Sequence, residues 1–395
     1  MNFILFDGIE RHNLLPLTYT RPVAEIRIGI LTIREKWEIM LSEKLSYLTQ
    51  DYLSKRFPVH LEKENILING SVLPNGFLTD IIQNMRPNEK LMYENTLVAL
   101  AATKEEIENG TYLSNAKSTV NIQLKILNLK QTWDIFTLND VTLRADFELI
   151  TKGRKSQSIY APNQLSGFEQ IFIEEGAKVS VSILNATTGP VYIGKNAEVM
   201  EGCMIRGPFS LGENSILKMG SKIYGATTIG PDCKMAGEIN NSVVIGNSNK
   251  AHEGYLGNSV IGEWCNLGAD TNVSNLKNNY SEVKVWSFDQ CKYINTGLQF
   301  CGLAMGDHSK CSINTQFNTG TVVGVSANIF GAGFPDKKID SFSWGGAAGF
   351  EGFEIDKAID LAQKVYERRG RVFDETDKEI FKHLYNLNLL NQRFN

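Results

Sequence analysis

The chain has 395 residues, of which 42% are hydrophobic, and a formal net charge of −4. This length predicts two or three domains with hydrophobic cores of their own. The acidic balance and the lack of a basic block argue against a nucleic-acid partner, so a phosphate ligand would have to meet a local cluster of cations. Since the sequence shows neither an apolar leader nor a membrane-length apolar run, we expect a cytoplasmic protein without a membrane partner.

The first part of the chain alternates short apolar runs with helical spacing. Residues 3–6 and 66–68 are apolar and each is followed by a turn dipeptide, which predicts buried strands, while residues 32–45 and 78–85 have apolar side chains at helical spacing. This alternation predicts an α/β domain with a largely parallel sheet over residues 1–155.

The run Leu15–Thr18 followed by Arg21–Ile26 resembles the sugar-nucleotidyltransferase pattern, in which a glycine-rich loop and a basic residue cradle nucleotide phosphates. The resemblance implies that Gly8, Arg11 and Arg21 bind a nucleotide.

One departure weakens that implication. Ser71 follows Gly70 where the family has the aspartate that holds Mg²⁺, so a metal is expected only if another carboxylate, Asp7 or Asp80, replaces it. Asn139 could be a second metal ligand, but a role at the start of the helix predicted over residues 138–151 is favoured. The domain therefore either retains nucleotidyl transfer, binds nucleotide weakly, or is a scaffold.

Residues 156–170 are predicted to be a linker, and residues 171–335 carry a repeat of six. Apolar residues recur at every sixth position from Ile193 to Met235, and a small residue follows most of them four positions later. This period predicts a parallel β-helix that buries one side chain per repeat, in preference to antiparallel hairpins. Four of the cysteines lie on these positions and are expected to be buried thiols, with neither disulfides nor zinc favoured.

The repeat is interrupted after Met235. With Ile245, Ala251 and Ile261 as the next inward residues, the steps from Met235 to Ile245 and from Ala251 to Ile261 are ten residues long instead of six. Four extra residues are therefore predicted to bulge in each step, within residues 237–241 and 252–255. Such departures from a structural rule often mark functional sites.

Residues 336–395 form a C-terminal extension in which two amphipathic helices are predicted. We expect them to cap the open end of the β-helix or to pack on a neighbouring subunit. His308, in the last part of the repeat, is expected to be a surface turn residue.

The segments 238–242, 250–257, 261–262 and 266–269, with Asn275, resemble the acetyltransferase half of the bifunctional N-acetylglucosamine-1-phosphate uridylyltransferase/glucosamine-1-phosphate N-acetyltransferase family. The resemblance implies a nucleotidyltransferase-like α/β domain, a left-handed parallel β-helix of hexapeptide repeats and short C-terminal helices. It also implies a homotrimer, acetyl-CoA bound between subunits and an amino-sugar phosphate as acceptor.

The resemblance assigns roles to particular residues. His252 is the general base, which suits a side chain that titrates near neutral pH, and Glu238 orients its ring. A lysine of the family is Asn240 here, so Lys250, Lys222 or Lys277 is expected to replace that cation, unless the substrate differs. The remaining site residues are those that would hold the sugar phosphate, Tyr255, Asn266 and Asn275, and Ala269, whose backbone would meet the cofactor.

Two rival functions stay open. A non-catalytic scaffold that binds a sugar nucleotide would explain both Ser71 and Asn240. A carbonic anhydrase on the same fold needs three zinc-binding histidines, and the repeat region offers only His252 and His308.

Overall fold

A computed structural model of the chain describes residues 2–115, 118–159 and 162–393. The chain divides into two compact units, the first comprising Met1–Leu14, Thr20–Ile26 and Leu31–Gln131 and the second Leu15–Tyr19, Arg27–Ile30 and Thr132–Asn395. Among the described residues, none of the helices combines the length and the apolar character needed to cross a membrane.

The first unit is built on one mixed sheet. Its strand order is β2-β1-β3-β5-β4-β6, and three of the five strand pairs are parallel. The strands are β1 (Asn2–Phe6), β2 (Ser46–Leu48), β3 (Glu64–Asn69), β4 (Glu89–Tyr93), β5 (Thr96–Thr103) and β6 (Ser118–Asn121). The helices of this unit are α1 (Glu10–Asn13), α2 (Ile33–Leu41), α3 (Gly76–Gln83) and α4 (Lys104–Glu108), with 3₁₀ turns at Val23–Glu25 and Asp51–Leu53.

Local signals explain where the predicted helix over residues 32–45 begins and ends. The hydroxyl of Thr32 accepts the backbone N–H of Glu35, and the Glu35 carboxylate accepts the N–H of Thr32, which forms a capping box. The helix ends at Leu41 because Ser42 takes a left-handed conformation with φ 57°.

The second unit is a stack of short strands flanked by four helices. The helices are α5 (Asp134–Thr137), α6 (Asn139–Thr151), α7 (Ile355–Glu367) and α8 (Glu375–Arg393), with a 3₁₀ turn at Phe168–Gln170. The strands are β7 (Gln164–Ser166), β8 (Ile171–Ile173), β9 (Lys178–Val179), β10 (Ile183–Asn185), β11 (Val191–Ile193), β12 (Glu198–Val199), β13 (Met204–Arg206), β14 (Phe209–Leu211), β15 (Ile216–Leu217), β16 (Lys222–Tyr224), β17 (Thr227–Ile229), β18 (Lys234–Met235), β19 (Glu238–Asn240), β20 (Val243–Gly246), β21 (Asn249–Lys250), β22 (Tyr255–Gly257), β23 (Val260–Glu263), β24 (Asn266–Leu267), β25 (Asn272–Val273), β26 (Lys284–Ser287), β27 (Lys292–Asn295), β28 (Leu303–Met305), β29 (Lys310–Cys311), β30 (Gln316–Phe317), β31 (Thr321–Val323), β32 (Asn328–Ile329), β33 (Lys338–Ile339), β34 (Ser343–Gly346) and β35 (Gly349–Gly352).

Three long sheets run along this stack, and successive coils add one strand to each. We call them the first sheet (β7 to β22), the second sheet (β8 to β33) and the third sheet (β9 to β35), with six, nine and ten strands respectively. Neighbouring strands from different coils pair in parallel, as Ile193 with Leu211 and Leu211 with Ile229. The predicted parallel β-helix is therefore confirmed.

The core follows the repeat of six. All eight apolar residues from Ile193 to Met235 at that spacing are buried, and the small residues four positions later are buried as well. The predicted burial of the thiols is confirmed for Cys203, Cys233, Cys265 and Cys311. Burial raises the pKa of Cys233 to about 12, so its thiol is an inert part of the core.

The predicted bulges after Met235 are wrong. Met235 pairs with Lys250 and Ile229 pairs with Val244, so these coils take 15 residues where Leu211 to Ile229 takes 18. The chain is shortened at the corners, and Lys250, instead of Ala251, occupies the inward position. The actual insertion is the antiparallel hairpin of β26 and β27, which leaves the stack between β25 and β28.

One corner of each coil needs a left-handed residue, three positions after the inward residue of the second sheet. Asparagine and aspartate, which tolerate this conformation, fill it in the early coils. Three of the later coils place rings there, on Trp264, His308 and Phe342, with φ of 62°, 62° and 54°, while Ser326, with φ 56°, holds the position in the coil between the last two.

These rings bind the C-terminal helices. Trp264 stacks on Tyr366 of α7 with ring centroids 4.0 Å apart, and His308 meets Phe381 of α8 edge to face at 4.9 Å. The prediction that His308 is a surface residue is therefore wrong, since it is 5% exposed. The two predicted helices are present, but they pack on the flank of their own coils.

Helix α6 also belongs to the second unit. Asn139 is fully buried, and its side-chain oxygen accepts the N–H of Gly29 at 2.7 Å while its amide donates to the carbonyl of Ala226 at 2.8 Å. Asn139 begins α6, as predicted, and it also joins the Arg27–Ile30 segment to the coils. Helix α6 thus lies beyond the unit boundary at residue 131, whereas the sequence prediction placed the domain end at residue 155.

Replacing Phe381 with alanine should loosen the helices, because the ring is 2% exposed and contacts His308, Phe342 and Phe373. We expect a loss of about 3–5 kcal/mol in the unfolding free energy of this region. Urea unfolding with limited proteolysis of α7 and α8 measures it. Val372→Ala is the control, since Val372 is 79% exposed and should change little. Equal protease resistance of Phe381→Ala and wild type would contradict the packing of Phe381 against these rings.

Candidate functional site

His252 lies on an ordinary corner of four residues, 251–254, which joins β21 of the third sheet to β22 of the first sheet. The corner turns at Gly254, whose φ of 112° strains any residue with a side chain. His252 is therefore displayed at the edge between two sheets, and its side chain is exposed.

The side chain of Lys250 supports this corner from inside the coil. Its Nζ donates to the carbonyl oxygens of His252 and Glu253, both at 3.0 Å, and to that of Ala236 at 3.4 Å. Burial lowers the pKa of Lys250 to about 8. Lys250 was predicted to bind the substrate. It is only 1% exposed, and its ammonium instead donates to the carbonyls that shape the corner.

The imidazole of His252 makes no hydrogen bond or ion pair within the part of the chain that the structure describes. Glu238, predicted to orient it, instead accepts the hydroxyl of Tyr224 at 2.6 Å, a bond that raises the pKa of Tyr224. Glu253, next to His252, faces Lys222 at 3.7 Å. One chain therefore presents the histidine without the predicted carboxylate partner.

A cavity of about 580 Å³ opens on the third-sheet side of the corner. It brings together three of the predicted site residues, His252, Asn266 and Ala269. The end of α7 closes the opposite wall with Arg368 and Arg369.

The cavity is cationic. The residues that line it include Lys234, Lys310, Arg368 and Arg369 but neither aspartate nor glutamate. Lys310 donates to the carbonyl of His308 at 2.7 Å, and burial lowers its pKa to about 8. Arg369 donates to Asn249 at 3.0 Å and to the carbonyl of Asp232. The cluster can meet an anionic ligand.

The other predicted substrate residues lie on the first-sheet side. The amide nitrogen of Asn275 donates to the hydroxyl of Tyr255 at 3.0 Å and to Asn258 at 2.8 Å. Asn240 ends β19, which pairs with β22, the strand that Tyr255 begins. Hydroxyl and amide groups of this kind suit the hydroxyls of a sugar, so the corner of His252 separates a cationic cavity from a neutral polar group.

The first unit presents a closed loop where the nucleotide site was predicted. Arg11 is 5% exposed; its Nε donates to the Asp7 carboxylate at 3.1 Å and its guanidinium to Tyr52 at 2.9 Å. Asp7 also accepts Thr49 at 2.5 Å and the backbone N–H of Val23 at 2.8 Å. Arg11, the predicted phosphate ligand, and Asp7, the carboxylate that could replace a metal ligand, thus pair with each other.

The rest of that site is equally occupied by internal contacts. Arg21 is 4% exposed, and Ser71 is fully buried with its hydroxyl on Asn69 at 2.9 Å. A side chain at Gly8 would collide with Glu10 and Asn69. Within residues 2–115, 118–159 and 162–393, no three or more His, Cys, Asp or Glu side chains are grouped so that they could hold a metal ion.

Sequence reasoning missed the contribution of α7 to the site. The signal in the sequence was a group of three arginines, Arg368, Arg369 and Arg371, at the end of a predicted helix. No role was predicted for these arginines. Lys234 was missed because an outward-facing lysine next to the inward Met235 fits the repeat like any other surface residue.

Comparison with known proteins gives a consistent result. Residues 3–155 match the family described as sugar nucleotidyl transferase. A bifunctional sugar-1-phosphate nucleotidylyltransferase/acetyltransferase of Sulfurisphaera tokodaii is 33% identical over 148 residues, which cover 36% of this chain and 35% of that protein. A bifunctional protein GlmU of Methanococcus aeolicus is 24% identical over 267 residues, which cover 68% of this chain and 56% of that protein.

The chain thus spans about a third of the first relative and about half of the second. Among solved structures, a UDP-N-acetylglucosamine acyltransferase of Arabidopsis shares 13% identity over 53% of this chain and 82% of its own, with a TM-score of 0.24. A score that low adds nothing to the argument from the two relatives.

Lys250→Met tests how the corner is held. Because folding lowers the pKa of Lys250 from 10.5 to about 8, the unfolded chain binds more protons than the folded chain between those values. The stability of wild type should therefore rise with pH across that window, by up to about 1.4 kcal/mol per pH unit relative to Lys250→Met. Urea unfolding at several pH values measures the difference. Lys292→Met, in an exposed strand, should follow wild type; a pH-independent difference for Lys250→Met would refute the buried ammonium.

Proposed function

We propose that the chain is a GlmU-like transferase that uses acetyl-CoA to acetylate the amino group of an amino-sugar phosphate, with His252 as the general base. The observation that carries this proposal is the place of His252, on a corner between a cationic cavity and a neutral polar group. A donor with phosphates fits the first and a sugar acceptor fits the second.

The proposed chemistry is a single acyl transfer. As the amine nitrogen attacks the thioester carbonyl, His252 accepts the proton that the nitrogen loses, and the imidazolium can return that proton to the departing thiolate. An imidazole can both accept and donate a proton, which suits both steps. Lys250 is a positioning residue, because its ammonium binds the backbone carbonyls of the corner and does not contact the imidazole.

The acceptor side supports a sugar. Tyr255 and Asn275 are already joined by a hydrogen bond, so their polar atoms are fixed before a ligand arrives. Asn240 supplies an amide where a lysine would supply charge, so the acceptor's phosphate must find its cation elsewhere. Lys222 is the candidate for that cation, because it lies on the first sheet, as Asn240 does, and close to Glu253 beside His252.

We also propose that the protein works as a homotrimer. Within one chain the imidazole of His252 lacks a partner among the described residues, and a subunit beside the coils could supply one. Side-by-side packing of β-helices buries their flanks in a closed, symmetric assembly.

His252→Ala should lower the rate of acetyl transfer by on the order of a hundredfold or more, the usual contribution of a positioned base. The side chain is exposed, so its removal opens no core cavity and should leave the trimer intact in sedimentation. Glu238→Gln should lower the rate less. Release of free thiol from acetyl-CoA with glucosamine-1-phosphate measures both variants.

The control is His60→Ala, an exposed histidine of the first unit that should leave the rate unchanged. Acetylation by His252→Ala at the wild-type rate would remove the assignment of the base. A wild-type protein that acetylates no amino sugar at all would make the non-catalytic scaffold the better interpretation.

A second activity, nucleotidyl transfer, is suggested by the family match of residues 3–155. The ion pair of Asp7 with Arg11 and the burial of Ser71 oppose it, because the reaction needs carboxylates open to Mg²⁺. We therefore propose that this unit is inactive in nucleotidyl transfer.

Formation of a nucleotide sugar from a sugar-1-phosphate and UTP or dTTP, with Mg²⁺, should be undetectable or very slow. Release of pyrophosphate measures it, and Ser71→Asp, which restores the family's carboxylate, is the informative comparison. Fast turnover by wild type would show that the unit holds Mg²⁺ in another way.

A further inference from the structure

We propose that Arg368 of α7 and Lys234 of β18 form an anion site for the nucleotide phosphates of the acyl donor, so that the C-terminal extension is part of the cofactor site of its own chain. The inference rests on the proposed function, because it names the ligand of the cavity beside His252. It begins from two cations that line that cavity.

Neither cation is neutralised by the described part of the chain. Lys234 and Arg368 make no side-chain hydrogen bond or ion pair there, whereas the neighbouring Arg371 pairs with Asp232 at 2.6 Å and Arg369 is bonded to Asn249. Asp232, which contacts the turn after α7, is thus already paired with Arg371.

An ordinary structural role explains only part of this arrangement. Arg368 follows the last residue of α7, where a cation favours the negative end of the helix dipole. That effect does not account for Lys234, which projects from a strand of the coils, or for Lys310 in the same wall. Four cations gather on one cavity in a chain of net charge −4, and an anion is the simplest group to balance them.

The wall that carries Arg368 is held rigidly. Tyr366, two residues earlier, stacks on Trp264, and Arg369 and Arg371 anchor the following turn to the coils. An anion site that is fixed before the ligand binds loses little free energy to ordering.

The shared cavity selects the class of ligand. Because His252 and Arg368 line the same space, one molecule can present a thioester at the base and phosphates at the arginine. An acyl donor built on a nucleotide has phosphates away from its thioester; a sugar phosphate would place its charge next to the reacting amine. The cations therefore point to the nucleotide end of the donor.

Calorimetric titration of the full chain with CoA tests the site without any need for turnover. Arg368→Gln and Lys234→Gln should each weaken CoA binding by on the order of tenfold, the usual loss for one charge-assisted contact. Adenosine 3′,5′-bisphosphate should compete with CoA in wild type and bind the variants equally poorly. The matched control is Lys364→Gln on the same helix, whose lysine pairs with Asp360 at 2.6 Å and does not line the cavity.

Turnover with acetyl-pantetheine, a donor without phosphates, supplies a second readout. If acetyl transfer occurs, Arg368→Gln should raise KM for acetyl-CoA by a similar factor and leave kcat/KM for acetyl-pantetheine unchanged. Wild-type CoA affinity in both variants would overturn the inference even if acetyl transfer is observed. Variants that lose affinity for glucosamine-1-phosphate but not for CoA would overturn the choice of ligand.

The two proposals fail separately. CoA binding that depends on Arg368 in a protein without acetyl transfer would support the anion site and remove the proposed reaction. Acetyl transfer that is indifferent to Arg368 and Lys234 would support the reaction and remove the anion site.

Discussion

Parallel stacking of coils constrains everything else in the second unit. Each coil must place one side chain above its neighbour in every sheet, so the inward positions are fixed even where the spacing in the sequence changes. Lys250 shows the strength of this constraint, since a lysine occupies the inward position between Met235 and Leu267. Its ammonium is accommodated because three carbonyls of the adjoining corners turn towards it, and one of those corners carries His252.

A second consequence of stacking is that the residues at one corner position of successive coils lie above each other and form a column. Where the column holds Asp232 and Asn247, the corner is polar: Asp232 accepts hydrogen bonds from Arg369 and Arg371, and the amide of Asn247 donates to Glu263. Where it holds Trp264, His308 and Phe342, the same backbone presents rings, and α7 and α8 settle on them. The change from amide to ring along one column thus decides where the helices lie, and their end becomes a wall of the cavity.

The two units differ in what they leave available for ligands. In the first unit the charged groups of the predicted nucleotide site face each other, as Arg11 with Asp7, and the loop around them is closed by hydrogen bonds. In the second unit, cations of the cavity wall such as Arg368 have no counter-charge among the described residues, and His252 is exposed. The charged groups that could meet an anionic ligand therefore lie in the β-helical unit, although the family match covers residues 3–155.

The sequence by itself determined the β-helix and its inward residues from Ile193 to Met235, because a period of six is a local property of a chain. His252 was chosen from the resemblance of a short motif, and its catalytic role stays a proposal. It misplaced the register after Met235, since shortened corners and bulges leave similar spacing when only apolar residues are counted. The buried role of Lys250, the ring column and the cavity wall of α7 were decided by the tertiary structure. Each depends on which coil lies above which, and on residues more than a hundred positions apart, such as Arg369 and Asn249, that meet only after the coils have stacked.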